Sequence, residues 1–589
     1  MKRSQNDLIE QEMVGDGHSI MIGKNTLSSV STGSSENVDP VFKKMKMTPE
    51  QIDSFSNLSI QLIQYILEFN YYYSEHSMIM REINRSSVMD LFGIKKMGSE
   101  RVIFLVYPSI ELDIYDNDMT YHYYFPISSV RHLSIVDKRS HRLLETSQSK
   151  LFPFSRMKSL ESLEVFSTLL LDNGFDGVSS SLTYIHVKGG ANITFSGIKT
   201  LVDKCHQLKI LRLGNKGIQL VDDSMVEYIS KHASSLKELS IPFHAVTRIG
   251  LTEVFKTSKI ASLNLSENKL FENPSFELLS QNNTLTNLNL SYNKICDADV
   301  EQLVEHGKNL KHLHLCSLRF PISSRCISMI LYQNSYEKVT IRHLKPPILD
   351  AAVFNLPCNI SKLDISLTCG NETTNGNQIA EAISKNFSKL EFLSMRRCYL
   401  EDEGCIHLFN IPTLKHLNIS YNNISDKALR HFSKFNTSID TLHLNSNKNI
   451  TNYGYRLLAY HPRLSSIKVS GKVGNDAICH ILSNLKTCKY LIVEAFTKLT
   501  DTAFSYINDA TSLEQLSVIG SEITMRSAQK IVTSPSLVEI SIDTKLSNAV
   551  LKEFANSNIR VIHLPQDNFE AVTEGLKALK LAGKRVCLE

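Results

Sequence analysis

The sequence lacks several features that would point to a membrane, an export route or nucleic acid. The 589 residues include no tryptophan, and no apolar run approaches the roughly 20 residues that a membrane-spanning helix requires. Residues 1–16 are polar where a signal peptide would have an apolar centre. The net charge is only +4, too small to indicate a polyanion-binding surface without local clustering. We therefore predict a soluble intracellular protein that binds neither membranes nor nucleic acid.

Motifs of catalysis and of cofactor binding are also missing. The chain has no G-x-x-x-x-G-K-[ST] loop, no G-x-G-x-x-G turn and no H-E-x-x-H helix. Its eleven cysteines are odd in number and include no C-x-x-C pair, which argues against a disulfide framework and a structural zinc module. Twenty histidines leave a Ser/His/Asp set possible by composition, but no pattern places one beside a nucleophile. We predict no enzymatic activity, no cofactor and no metal.

What the chain does contain is a recurring aliphatic phrase, L-x-x-L-x-L. Clear copies start at Leu208, Leu285 and Leu414, and weaker ones bring the count to about 18 between Val130 and Ile559. Most steps are 24 to 26 residues, which is the period of leucine-rich repeats. Alternation within L-x-L predicts a strand whose aliphatic side chains point inward and whose intervening residue points outward, onto a concave face.

The second half of each repeat carries its own pattern, I-[ST]-D-x-[AG]-L. The segments 424–432 and 499–507 superpose in this frame, and an Asp or Asn there is expected to cap a helix. Each repeat is then strand, turn and helix. The predicted fold class is an α/β leucine-rich-repeat solenoid, with a curved parallel sheet inside, helices outside and a terminal capping helix at Phe569–Leu581.

Polar residues recur three places after the last aliphatic residue of a strand. We expect these side chains to satisfy backbone groups that turn away from the sheet. Cys398 occupies the equivalent place in its repeat and is interpreted as a buried structural thiol. The asparagines concerned are Asn268, Asn293, Asn422 and Asn447.

The head of the chain has a different composition. Residues 1–48 hold one aromatic residue and a Ser/Thr/Gly/Asn-rich stretch, which predicts a disordered tail. The short basic cluster at 43–46 suggests nuclear import as an alternative to a purely cytoplasmic location. Residues 58–69 then show apolar residues at helical spacing, which predicts an amphipathic helix whose simplest role is to cap the first repeat.

The same helix resembles the opening of an F-box, which reads roughly L-P-x-E-[LI]-x-x-x-I-[LF]. Ser59 stands for the usual Pro and Gln61 for the usual Glu, and the tryptophan common near the end of an F-box is missing. The 24–26-residue period and the I-[ST]-D-x-[AG]-L phrase are similar to the repeats of F-box/leucine-rich-repeat proteins. The residues that match the F-box register are Leu58, Leu62, Ile66 and Leu67, followed by Phe69.

The resemblance implies a domain order and a function. It implies an F-box-like segment at 51–95, a connector at 96–129 and a repeat domain at 130–589. The five residues named above would dock on the Skp-type adaptor of a cullin–RING (SCF-type) ubiquitin ligase, while the concave face holds a substrate for degradation. Two alternatives stay open: a leucine-rich-repeat scaffold or inhibitor without a ligase link, and a small-GTPase regulator, against which the period argues because such arrays have longer repeats.

The middle strands give a candidate partner surface. Their outward positions are mostly basic, which suits an acidic or phosphorylated protein segment. Cys316 is expected to project from the same strand as His312 and His314, and three such residues could chelate zinc, but one strand provides too little convergence for a metal site. The predicted partner-binding residues are His312, His314, Lys338, Arg342, Lys362, Arg396 and Arg397, with Asp364 and His343 beside them.

Overall fold

The computed structural model describes most of the chain from Ser109 onward. The predicted tail, the F-box-like segment and its five candidate residues lie outside the described residues. The chain divides into two compact units, Met1–Leu208 and Lys209–Glu589. The described ranges are 109–113, 131–136, 154–166, 172–187, 193–214, 221–257, 259–268, 276–344, 350–368, 376–495, 499–521, 524–543, 546–565 and 573–588.

In the first unit the described strands are all parallel, and each pairs with a neighbour in chain order. β1 (Ser109–Asp113) pairs with β2 (His132–Val136), and β2 pairs with β3 (Ser162–Phe166). β3 then pairs with β4 (Tyr184–Val187), and helix α1 spans Phe195–Lys204. Strand β1 lies inside the segment predicted as a connector, so at least part of that segment is built into the sheet.

The second unit repeats one coil: a strand, a turn, and a helix or 3₁₀ turn that returns the chain to the next strand. Every strand pairs in parallel with the following one. The strands are β5 (Ile210–Leu213), β6 (Glu238–Ser240), β7 (Ser262–Asn264), β8 (Asn287–Asn289), β9 (His312–His314), β10 (Lys338–Thr340), β11 (Lys362–Asp364), β12 (Phe392–Ser394), β13 (His416–Asn418), β14 (Thr441–His443), β15 (Ser466–Gly471), β16 (Tyr490–Ala495), β17 (Gln515–Ile519), β18 (Glu539–Ile542), β19 (Val561–Leu564) and β20 (Arg585–Leu588).

Helices occupy the other side of most of these coils. They are α2 (Asp223–His232), α3 (Arg248–Thr257), α4 (Asp297–His306), α5 (Ser324–Tyr332), α6 (Gly376–Asn386), α7 (Asp402–Phe409), α8 (Asp426–Phe435), α9 (Asn452–Leu457), α10 (Asn475–Asn484), α11 (Met525–Ile531), α12 (Asn548–Ala555) and α13 (Thr573–Leu581). In the described residues no helix is both long and apolar enough to cross a membrane.

The predicted fold class is confirmed: the chain forms a leucine-rich-repeat solenoid. A strand lies at each predicted phrase from Val130 to Ile559, and β1 and β20 add two more. The aliphatic residues of the phrase form the core, because Leu285, Leu288 and Leu290 each expose at most 1% of their surface. Burying one such side chain contributes about 2 kcal/mol, so the coils stabilise one another mainly through this core.

The helical half of the repeat is less regular than predicted. Residues 499–507 do not form a helix like that of 424–432 but two 3₁₀ turns, Asp501–Phe504 and Ile507–Asp509. Ser425 caps α8 by accepting from the N–H of Lys427, whereas Thr500 makes no such side-chain bond, so the first turn of an α-helix is not held there. At the other end, α13 is followed by β20 rather than ending the array.

Buried polar side chains link many of the strand turns to the neighbouring coil, as the asparagine spacing predicted. Nδ2 of Asn422 donates to the carbonyl oxygens of Met395 (2.8 Å) and Ile419 (3.0 Å). Its Oδ1 accepts from the backbone N–H groups of Cys398 (2.9 Å) and Leu400 (3.0 Å). One amide therefore satisfies four backbone groups that have no strand partner.

Other residue types serve at the same position, which we call the ladder position. Cys398 is fully buried with its Sγ 3.4 Å from the carbonyl oxygen of Ile365, so its structural interpretation is confirmed. His244 accepts from the N–H of Val221 through Nδ1 (3.1 Å), and its Nε2 lies 3.1 Å from the carbonyl of Leu213. The coils of β9 and β10 differ, because they carry buried leucines there, Leu318 and Leu344.

A second set of polar contacts links the helix starts, and it corrects the predicted capping. The cap of α8 is Ser425, and Asp426 is the first helical residue rather than the cap. Asp426 accepts from the N–H (2.8 Å) and the hydroxyl (2.6 Å) of Thr451, the cap of the next helix. At Gly454 a Cβ would collide with the Asp426 carboxylate, so this repeat has Gly where the repeat of α8 has Ala428. The I-[ST]-D-x-[AG]-L phrase thus encodes contacts between coils.

The ladder position gives a stability prediction. Replacing Asn422 with Ala should lower the free energy of unfolding by about 3 kcal/mol, because buried backbone groups, among them the N–H groups of Cys398 and Leu400, lose their side-chain partner. Urea unfolding followed by circular dichroism measures this change. The matched control is Asn423→Ala, an exposed neighbour whose loss should shift stability by less than about 0.5 kcal/mol. Equal shifts in the two variants would contradict the role assigned to Asn422.

Candidate functional surface

The outward side chains of the second unit form three rows across the strands, and we call this surface the strand face. In the pairing register His312, Lys338 and Lys362 lie side by side in the first row. His314, Thr340 and Asp364 form the second row. The third row lies two residues beyond the strand ends, where the inter-strand ladder continues; it contains Cys316, Arg342, Ser366 and Arg396.

A residue with positive φ follows each third-row residue in these coils. Ser317, His343, Leu367 and Arg397 have φ values of 49°, 54°, 61° and 56°. The N–H groups of Ser317 and His343 still donate to the neighbouring strand, to the carbonyls of Arg342 (2.7 Å) and Ser366 (3.1 Å). Inter-strand bonding thus keeps the third row in register even though the backbone has already turned.

The structure brings the predicted partner-binding residues together on four consecutive strands. Lys362, Arg342, Arg396 and Arg397 are exposed, while His312, His314 and Lys338 are half-buried. Strands are about 4.8 Å apart, so the cationic groups form one continuous patch. We call it the basic segment; its charged members are Lys338, Arg342, Lys362, Arg396 and Arg397, with the single carboxylate Asp364.

The prediction for Cys316 is wrong. Its side chain is buried, exposing 6% of its surface, and Sγ lies 3.9 Å from the carbonyl oxygen of Thr340 instead of projecting beside the two histidines. The third row lies where the chain turns in, so a small side chain there is covered by its neighbours. Among the described residues, no group of three or more His, Cys, Asp or Glu side chains is placed to hold a metal ion.

The charges of the basic segment are only partly balanced. The Arg342 Nε atom is 3.6 Å from Asp364 Oδ2, and the other oxygen of Asp364 accepts from the N–H (3.0 Å) and the hydroxyl (2.6 Å) of Ser366. Within the described part of the chain, Lys338 and Lys362 form no ion pair. Their charge is therefore available to an anionic partner.

Sequence reasoning missed an aromatic residue that orients one of the arginines. The Arg396 guanidinium lies over the ring of Tyr421, 4.3 Å from the centroid, in a cation–π contact. Tyr421 has φ = 60° and exposes 43% of its surface, so the ring stands at the margin of the strand face. Tyr421 could have been predicted from its place in the repeat, because it follows the third row directly, as Arg397 does one coil earlier.

A neutral, amide-rich depression borders the basic segment. It has a volume of about 420 Å³, and its walls include Asn264, Asn287 and Asn289 together with the two histidines and Lys338. At its far end Arg212 Nε contacts Glu238 Oε1 at 2.7 Å. The strand face thus changes from amide-rich to cationic between β7 and β12.

Burial and neighbouring cations keep the two histidines uncharged. Partial burial, followed by the charges of Lys338, His312 and Arg342, lowers the pKa of His314 to about 4. Burial, followed by the charge of Lys338, also lowers the pKa of His312 from its usual value. At neutral pH their rings are therefore hydrogen-bonding groups rather than cations.

Comparison with known proteins gives matches of limited extent. A family profile described as leucine-rich repeat matches residues 281–304 and 410–433. None of the curated protein sequences matches the chain significantly. Similar solved structures include the mouse RP105/MD-1 complex (14% identity, TM-score 0.39, 77% of this chain and 86% of that chain) and an internalin, inlF, of Listeria monocytogenes (18% identity, TM-score 0.31, 67% and 93%).

The His314 pKa gives a pH prediction. His314 has a lower pKa in the folded protein than its usual 6.5, so its neutral form stabilises the fold at pH 7. That contribution is lost as the pH falls from about 6.5 towards 4, because the unfolded chain takes up the proton first. Urea midpoints at pH 7 and pH 5 should therefore fall more in the wild type than in His314→Asn. An identical fall in both proteins would contradict this assignment, because the other histidines are present in both.

Proposed function

We propose that the protein binds another protein through its strand face and catalyses no reaction itself. Leucine-rich repeats are protein-interaction modules, and stacked repeats of this kind present an extended surface for that purpose. The observation that carries the proposal is the basic segment, where five cationic side chains on the coils of three adjacent strands, β10 to β12, accompany a single carboxylate. Such an excess is suited to an acidic or phosphorylated segment of the partner.

The physical basis is electrostatic complementarity. Opposite charge across an interface accelerates encounter and disfavours partners of the wrong sign, while desolvated Arg pairs add charge-assisted hydrogen bonds. The adjacent amide-rich depression can pair with backbone groups of the same partner, since Asn side chains both donate and accept.

We further propose that this binding serves a cullin–RING ubiquitin ligase in the cytoplasm or nucleus. The support is the resemblance of residues 58–69 to an F-box opening, together with the similarity of the repeats to those of F-box/leucine-rich-repeat proteins. The protein would hold the adaptor through its N-terminal helix and the substrate on the strand face. A held substrate would then meet the ubiquitin-carrying enzyme at high effective concentration.

Charge reversal tests the partner surface. The triple variant Arg342→Glu, Arg396→Glu and Arg397→Glu should reduce cross-linked partner capture at least tenfold, because the reversed charges repel an acidic segment. Quantitative mass spectrometry of captured proteins measures this. The matched control reverses three exposed lysines away from the strand face, Lys389, Lys427 and Lys434, and should capture as the wild type does. Unchanged capture by the arginine variant would exclude the basic segment as the site.

Co-purification tests the ligase link. The full chain, co-expressed with a Skp-type adaptor, should form a complex that is lost on deletion of residues 51–100, which removes the proposed docking segment, or in the double variant Leu62→Asp and Ile66→Asp, which places charges among its apolar side chains. The Arg342/Arg396/Arg397 charge-reversal variant should keep the adaptor. Adaptor binding that survives the deletion would refute the ligase assignment and leave the scaffold interpretation.

A further inference from the structure

The third row of the basic segment contains a notch between two arginines. Ser366 lies between Arg342 on one side and Arg396 on the other, and it is almost fully buried, exposing 4% of its surface. With strands about 4.8 Å apart, the Cα atoms of the two arginines are about 10 Å apart. The Arg342 guanidinium lies beside Asp364 and Cys316, and that of Arg396 lies over the Tyr421 ring. The two arginines thus border Ser366, the floor of the notch, from opposite sides and must turn towards each other to hold one ligand.

The same sheet shows that side chains two strands apart can meet over a serine. In a neighbouring part of the third row, Ser470 lies between Asn445 and Glu494, and the Asn445 amide donates to the Glu494 carboxylate across it. Asn and Glu side chains are shorter than Arg. Two arginines in the equivalent arrangement therefore have the reach to place both guanidinium groups around one ligand.

The notch is held in position by its neighbours. Ser366 Oγ donates to Asp364 (2.6 Å) and lies 2.8 Å from Ser394 Oγ, so the floor is fixed. Asp364 also lies near Arg342, and Tyr421 carries the Arg396 guanidinium on its ring face. A guanidinium that stacks through its face keeps its N–H groups free at the edge.

We propose, building on the partner binding proposed above, that Arg342 and Arg396 clamp the phosphoryl group of a phosphoserine or phosphothreonine in the partner segment. Two guanidinium forks offer more donors than one carboxylate can use, whereas a phosphoryl group has three acceptor oxygens and a charge near −2. The second negative charge strengthens the attraction to both arginines, and the repulsion from Asp364 is reduced because its oxygens already accept from Ser366 and lie near Arg342.

The lysines of the first row favour a protein segment over free phosphate as the ligand. Lys338 and Lys362 lie four residues before the third-row positions of their own strands, which is about 13 Å at 3.3 Å per residue. An extended segment that runs along the strands spans this distance in four residues. The clamp therefore selects a phosphorylated residue with an acidic residue four positions away.

Fluorescence polarisation with the full chain tests the clamp. The probes are three labelled 13-residue peptides of otherwise identical Gly/Ala sequence, with Glu four positions on either side of a central phosphoserine, glutamate or serine. We expect the phosphoserine peptide to bind at least tenfold more tightly than the glutamate peptide. Arg342→Ala and Arg396→Ala should each weaken the phosphoserine peptide about tenfold and the glutamate peptide less than threefold.

Two further sets of variants separate the clamp from a general charge effect. Arg342→Lys and Arg396→Lys keep the charge but lose the forks, so they should lose most of the preference for phosphoserine over glutamate. Arg212→Ala removes an arginine from the far end of the strand face and should change neither affinity. Urea midpoints close to that of the wild type exclude unfolding as the cause of any loss.

The outcomes distinguish the clamp from the broader proposal. Equal affinity for the phosphoserine and glutamate peptides, both lost in the Arg342/Arg396/Arg397 charge-reversal variant, would overturn the clamp and leave the basic segment as a site for acidic segments. No binding of any peptide, or binding that the charge reversal does not affect, would overturn both. Lysine variants that bind as tightly as the wild type would overturn the clamp alone.

Discussion

The structure depends on the need to pair the backbone groups that leave each strand. The N–H and C=O groups of a parallel strand form hydrogen bonds with the two neighbouring strands. Beyond the strand, the chain must turn through the interior to reach the helix side. One amide such as Asn422 supplies four hydrogen bonds at that turn. Because unpaired buried groups are costly, these side chains fix how each coil follows the last.

That regularity is what makes the strand face usable. The inter-strand bonds hold the first two rows in register, and the bonds through the left-handed residues extend that register to the third. A side chain's neighbours are therefore set by its place in the repeat and not by its place in the chain. Residues as far apart as His312 and Arg396 become parts of one surface.

Features with a local cause were the ones that could be predicted from the sequence. The alternation of L-x-L locates the strands, and the residue three places beyond locates Asn422 and Cys398 in the core. The two 3₁₀ turns in 501–509 could not be predicted, since the residues match the helical frame and the difference lies in hydrogen bonds of the cap Thr500. Strand β20 was not predicted, because it is recognised by its pairing with β19 and not by a pattern in its own residues.

The candidate surface, too, could be predicted only in part from the sequence. Outward positions predicted which residues share the basic segment, but not which of them are covered. The burial of Cys316 beside Thr340, the contact of Arg342 with Asp364 and the stacking of Arg396 on Tyr421 all involve residues 22 to 25 positions away, on the next coil. Such contacts depend on the pitch of the stack, which only the folded chain sets.

The leucines at the ladder position of the β9 and β10 coils have a consequence for cooperativity. In a linear stack each coil is coupled only to its neighbours, so the junction with the weakest coupling decides where the array divides into separate folding blocks. Leu318 and Leu344 bury apolar surface there but cannot bridge the backbone of adjacent coils as Asn293 does. These two coils therefore lack one polar link to their neighbours, and a partner lying across β9 to β12 would add contacts between coils where that link is missing.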